Sequence, residues 1–212
     1  MAEFKRQSPV RFTASPIETE ERDHWTVALE YENEGHGPWI GDLAHKARWD
    51  LQDGGLEDIT PCDLIIPEIP GQCTFSGDML INRMNRTQAS IYHLGSEAPP
   101  IPDFQGYTDV SESSVFLALF GPNIFSVAEK LTRLDFMEPG NTAPFLLQGP
   151  FCHVPCQIVV LDSGVDGGFL LTCSRGYGDS MVHAILEAGA EIGLRPAGEK
   201  RFGSWIAALN RE

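Results

Sequence analysis

The residues able to do chemistry in this 212-residue chain are few and scattered. Cys152-His153-x-x-Cys156 sets three soft ligands close together, a donor set that zinc accepts. Pro155 interrupts it, and no second cluster supplies the rest of a closed tetrahedral site, so no metal is expected. The thiols read instead as small hydrophobes at a buried strand edge. General acid–base work needs a carboxylate in a cleft, and Asp42, Asp109 and Asp162 are on offer. With 30 acidic residues in the chain, most must be solvated. No coherent catalytic set assembles, and Asp109 is the one carboxylate carried forward. His45, His93 and His183 fall on predicted elements and read as satisfied core or surface histidines. Arg195 and Arg201 flank Pro196 and Gly198, a basic loop suited to a carboxylated ligand through bidentate hydrogen bonds. Ordinary ion pairing on an acidic surface is the competing reading.

The Gly35-His36-Gly37-Pro38-Trp39-Ile40-Gly41 run misses the dinucleotide fingerprint, because its third glycine falls one place late and Pro38 obstructs the turn. No phosphate loop, nucleophile elbow or zinc-peptidase motif occurs. Fifteen Lys and Arg stand against 30 Asp and Glu, a formal charge of −15. That field repels phosphate backbones, so neither nucleic acid nor an anionic membrane is an expected partner. No run approaches the roughly 18 apolar residues of a membrane span, and the first residues lack the apolar core of a leader. A cytoplasmic location is the expectation. Hydrophobic residues at 42% and charged residues at 21% suit an ordinary folded domain.

The elements that must position these groups are clearer in the second half. Residues 1–24 read as an extended arm, 25–96 as a first α+β half, 97–106 as a proline-rich linker, 107–200 as a second α+β half, and 201–212 as a tail. Residues 26–31 alternate as a strand does, and 40–51 form a further extended stretch. Met79 to Leu94 reads as a hairpin turning near Asn85-Arg86-Thr87. Ser114 to Phe120 is apolar on both faces, as a central strand buried on both sides would be. Ile124, Val127, Ala128, Leu131 and Leu134 recur at helical spacing. Residues 157–161 and 168–173 pair across a turn at 162–167. A second helix begins at Gly178 or Asp179 and stops at Gly193. The result is an α+β fold of mostly antiparallel sheets with packed helices. The first half has strands in a comparable order, which leaves an internal duplication open.

Tyr107-Thr108-Asp109-Val110-Ser111, the strand running into Gly121-Pro122, the step Leu134-Asp135-Phe136 and the final helix Leu186-Glu187-Ala188-Gly189-Ala190-Glu191-Ile192-Gly193 follow one another in a familiar order. This order resembles the folate-binding superfamily of the glycine-cleavage T-protein (aminomethyltransferase), and within it the gamma subunits of heterotetrameric sarcosine oxidase. The resemblance implies a T-protein-like fold and a non-catalytic subunit docked on larger flavoprotein subunits, with flavin and NAD on those partners. Such a subunit would help close a cavity where a one-carbon unit passes to tetrahydrofolate. Trp39, Trp49, Phe104 and the proline linker are the candidates for its docking patch. Gly193-Leu194-Arg195-Pro196-Ala197-Gly198 is similar to a T-protein step that leads to a folate-contacting arginine, which puts Arg201, with Arg195, in that role. The turn at 162–168 matches a T-protein segment whose tyrosine and glutamate this chain lacks. The alternative is a stand-alone aminomethyltransferase-like protein that binds tetrahydrofolate itself, with Asp109 orienting the pterin. A purely protein-binding scaffold is a third reading.

Overall fold

The computed structural model describes residues 4–211. Strands β1 (Pro16–Arg22) and β2 (Trp25–Tyr31) form an antiparallel hairpin. The expected N-terminal arm therefore contains a strand, β1. Its side chains are nearly all exposed, so ladder bonds hold it and no apolar period betrays it. The extended stretch after Ile40 divides into β3 (Trp39–Asp42) and β4 (Arg48–Gln52). The Asp42 carboxylate accepts from Ala44 N at 2.9 Å and turns the chain between them.

Next come β5 (Cys73–Ser76), the expected hairpin β6 (Met79–Asn85) and β7 (Gln88–His93), and β8 (Tyr107–Asp109). The second half supplies β9 (Ser114–Phe120), α1 (Ile124–Leu131), β10 (Phe145–Phe151), β11 (Val154–Asp162), β12 (Gly168–Ser174), α2 (Gly178–Gly189), β13 (Arg195–Ala197) and α3 (Glu199–Leu209). The residues expected to form a C-terminal tail are mostly α3. Gly193, left-handed at φ 77, closes the turn after α2 as expected.

One sheet runs β10-β11-β12-β9-β3-β13 and the other β5-β6-β7-β4-β8. Among the described pairings only β13 with β3 is parallel. Strand β3, from the first half, pairs with β9 and so ties the two halves into one sheet. The period-2 rule explains the layering. Val115, Leu117 and Leu119 of β9 face the core beneath α1 and α2, while Phe116, Ala118 and Phe120 face the second sheet. On β6 and β7, Leu80 and Tyr92 meet that shared core, whereas Ile81 and Ile91 face an outer core with Trp49 and Leu51. Helix α3 drops Phe202 and Ile206 into the shared core.

Two glycines test how tightly α3 is seated. A Cβ on Gly198 would lie 2.2 Å from the Leu29 carbonyl oxygen, whereas one on Gly203 meets nothing within 4 Å. Chemical denaturation should find Gly198→Ala destabilised by about 1–3 kcal/mol, the cost of forced backbone shifts. Gly203→Ala should be stabilised by about 0.8 kcal/mol, because alanine is the better residue in a helix interior.

Candidate functional site

The turn at 162–167 borders an open cleft of about 650 Å³, lined by Phe75, Ser76, Gly77, Ala143, Pro144, Leu161, Asp162, Leu209 and Asn210. Four pieces of chain build it. The Asp162 carboxylate accepts from Gly164 N at 2.9 Å and shapes the turn. Trp205 Nε1 donates to Asp166 O at 3.2 Å and Asn210 Nδ2 to Gly77 O at 3.1 Å, so α3 clasps both the β11–β12 and β5–β6 turns. The walls mix polar and apolar groups and carry one carboxylate and no cation. At the tip of the turn Val165 is 86% exposed.

The sequence-derived arginines sit elsewhere and are engaged internally. Arg201 Nε donates to Glu34 Oε2 at 3.2 Å, and its guanidinium stacks 4.9 Å from the Trp39 ring. Arg195 Nη1 donates to Asn33 O at 2.9 Å. Neither lines the cleft. The cleft lining thus offers no positive group to an anionic ligand. Asp109 accepts from Ser111 N and Oγ at 2.9 and 2.6 Å and lines a different cavity. Asp42 is pushed up by burial, opposed by hydrogen bonds from Ser8 and Ala44. His183 is exposed on α2, beside Glu187 at 4.0 Å. Cys152 and His153, both left-handed, are the turn between β10 and β11. Cys156 faces Cys173 directly across the β11–β12 ladder. Of the expected docking patch, Phe104 is exposed, but Trp49 is buried in the outer core and Trp39 is sandwiched between Arg201 and Phe120. Their indole rings are needed for packing.

The cavity that Asp109 lines is about 670 Å³ and includes Arg22, Trp25, His45, Lys46, Trp49 and His93. Sequence reasoning missed the group that organises it, Glu199 at the first position of α3. Arg22 grips Glu199 with two bonds of 2.9 and 3.0 Å, His45 Nε2 lies 3.1 Å from Oε1, and Lys46 Nζ donates to the same oxygen. Lys46 is 3% exposed and also donates to Gly95 O at 2.7 Å. Burial alone would raise the Glu199 carboxyl, but the bonds from His45, Arg22 and Lys46 outweigh it and hold it well below the usual range. Burial lowers His45 and Lys46, against the pull of Glu199. His93 is likewise lowered by burial. Of Arg22, His45, Lys46 and Glu199 only His45 and Lys46 are neighbours in the chain, so nothing in the sequence announces the four together.

With this geometry in view, the likeness to solved structures is specific. A chain of heterotetrameric sarcosine oxidase from Corynebacterium sp. U-96 superposes with TM-score 0.59 at 14% identity, over 72% of this chain and 83% of that one. The glycine cleavage aminomethyltransferase T from Bartonella henselae gives TM-score 0.58 at 13% identity, over 87% of this chain and 56% of that one. The fold is that of the folate-binding aminomethyltransferases. In sequence, the chain is 36% identical over 92 residues to an aminomethyltransferase of Geobacillus thermodenitrificans, covering 42% of this chain and 24% of the relative. It is 29% identical over 150 residues to an aminomethyltransferase of Clostridium botulinum, covering 69% of this chain and 37% of the relative. It therefore spans about a quarter to just over a third of the curated relatives it matches. No family model matches. Among the described residues no helix is long and apolar enough to cross a membrane.

The Glu199 cluster sets the acid response. His45 and His93 are held neutral in the fold, below their ordinary 6.5, so the unfolded chain binds protons first as the pH falls. The histidine contribution is complete above pH 6.5 and declines below it, and the Glu199 contribution is lost below pH 4.5 as the unfolded Glu199 protonates. Denaturant melts at a series of pH values should show His45→Gln flattening the first decline. Glu199→Gln should cost about 3–5 kcal/mol at pH 7, because it leaves Lys46 buried without its counter-charge.

Proposed function

We propose that this chain is a non-catalytic, gamma-like subunit of a heteromeric flavin-dependent amine oxidase or dehydrogenase of the sarcosine type. Its open cleft beside Asp162 forms one wall of a cavity for one-carbon transfer to folate. The observation that carries the reading is the likeness to a chain of heterotetrameric sarcosine oxidase, over 72% of this chain and 83% of that one. The cleft supports it. It opens to solvent and has no cation in its lining, so a second protein would supply the groups that recognise an anionic cofactor. Larger flavoprotein subunits, carrying flavin and NAD, fit that requirement. Val165, projecting from the rim, would be among the groups that they cover.

A second reading draws on the two curated relatives, both named aminomethyltransferase. In it the chain binds tetrahydrofolate unaided, with its tail at Arg195 and Arg201 and its pterin oriented by Asp109. The internal engagement of both arginines weighs against it.

Purification of the tagged chain from its host under native conditions tests both. The expected product is a stoichiometric complex that releases flavin on acid treatment. Val165→Asp, which places a charge in the contact, should lower its recovery about tenfold or more. A monodisperse, flavin-free monomer would overturn the first reading. Saturable micromolar tetrahydrofolate binding to the isolated chain, lost in Arg201→Ala, would establish the second.

A further inference from the structure

Away from the Asp162 cleft, two buried arginines, Arg83 and Arg48, have no ionic partner among the described residues, and of the two only Arg48 also keeps a buried N–H without an acceptor. Arg48 opens β4 and is 1% exposed. Its Nη1 donates to Ser114 Oγ at 2.6 Å and Val115 O at 3.3 Å; its Nη2 donates to Ser111 O and to Ser114 O at 3.2 Å. All four acceptors are neutral. A guanidinium has five N–H donors, and the fifth, on Nε, has no partner. The group stacks 4.7 Å from the Phe116 ring, and no described carboxylate lies within ion-pair distance. Burial draws its pKa down to about 10, so it stays charged at neutral pH. Buried charges are normally paired with an opposite charge or bind one.

Arg48 lines a slot of about 340 Å³ between the two sheets, whose walls include Ser90, Tyr92, Ser114, Gln157 and Thr172. Ser114 Oγ accepts from Arg48 and so keeps its own proton to donate, and Thr172 brings a second hydroxyl. We infer that this slot is a binding site for a small organic monocarboxylate, with Arg48 supplying the counter-charge and the Ser114 and Thr172 hydroxyls the hydrogen bonds. The size lies at the low end of the ~300–1,000 Å³ range for small-molecule sites. Asp50 also lines the slot, its two oxygens accepting from Gln88 at 2.7 Å and Gln52 at 2.6 Å. That fixed negative charge admits one opposing pair and disfavours a dianion. The inference is independent of the subunit reading, since it concerns another cavity and needs no partner.

Isothermal titration of the full chain with sodium pyruvate, sodium acetate and inorganic phosphate, at matched ionic strength, tests it. The expected result is saturable one-to-one binding of pyruvate or acetate, with phosphate weaker. Thr172→Val, nearly isosteric, should weaken binding about tenfold, the loss of one hydrogen bond to a charged group. Arg48→Met should abolish it; if that variant does not fold, Thr172→Val remains the decisive one. No saturable heat with any probe would mean that the slot holds water only. That result, tighter binding of phosphate, or unchanged binding in Thr172→Val would each overturn the assignment.

Discussion

A single half-buried carboxylate fixes how the pieces of this molecule meet. Glu199 sits at the start of α3 and gathers Arg22 from the end of β1 with His45 and Lys46 from the β3–β4 connection. Lys46 could not be buried without it. The start of a helix also favours negative charge, because its free N–H groups and dipole point that way. A second carboxylate, Glu34, holds the same place from the other side, accepting from Tyr31 N at 3.0 Å and Gly198 N at 2.8 Å. Between them the N-terminus of α3 is fixed against the β1–β2 hairpin and the edge of the six-stranded sheet.

What happens at one end of α3 determines the other. Its 11 residues span about 16 Å at 1.5 Å per residue. The apolar side chains in between, Phe202 and Ile206, enter the core shared by the two sheets. At the far end Trp205 and Asn210 clasp the two turns that border the Asp162 cleft. The cleft's shape therefore depends on charges lying outside it, at the opposite end of the helix.

The sequence announced what depends on local periodicity and concealed what depends on distant pairing. The β6–β7 and β11–β12 hairpins, the doubly buried β9, and helices α1 and α2 follow from apolar spacing. Strand β1 did not, because its exposed residues carry no apolar alternation. Strand β10 was obscured by Pro144, Gly149 and Pro150, and α3 by Gly203 and the charged residues of its first turn. The site divides in the same way. Arg195 and Arg201 stand out as a local basic cluster, yet Asn33 and Glu34, which engage them, lie far away in the chain. Asp109 does line a cavity, though a different one from the cleft beside the 162–168 turn. Arg48, amid an ordinary strand, carried no sign of being buried without a counter-charge.

The distribution of cations is the strongest physical constraint on how this fold is used here. An acidic chain with 15 Lys and Arg can hold an anion only where a positive group is left over. In the described structure the basic groups around the N-terminal end of α3 are committed: Arg201 to Glu34, Lys200 to Glu18 and Glu30, Arg22 and Lys46 to Glu199. The cleft beside its C-terminal end has no cation in its lining. The buried Arg48 guanidinium, held only by neutral oxygens, lies at another cavity altogether.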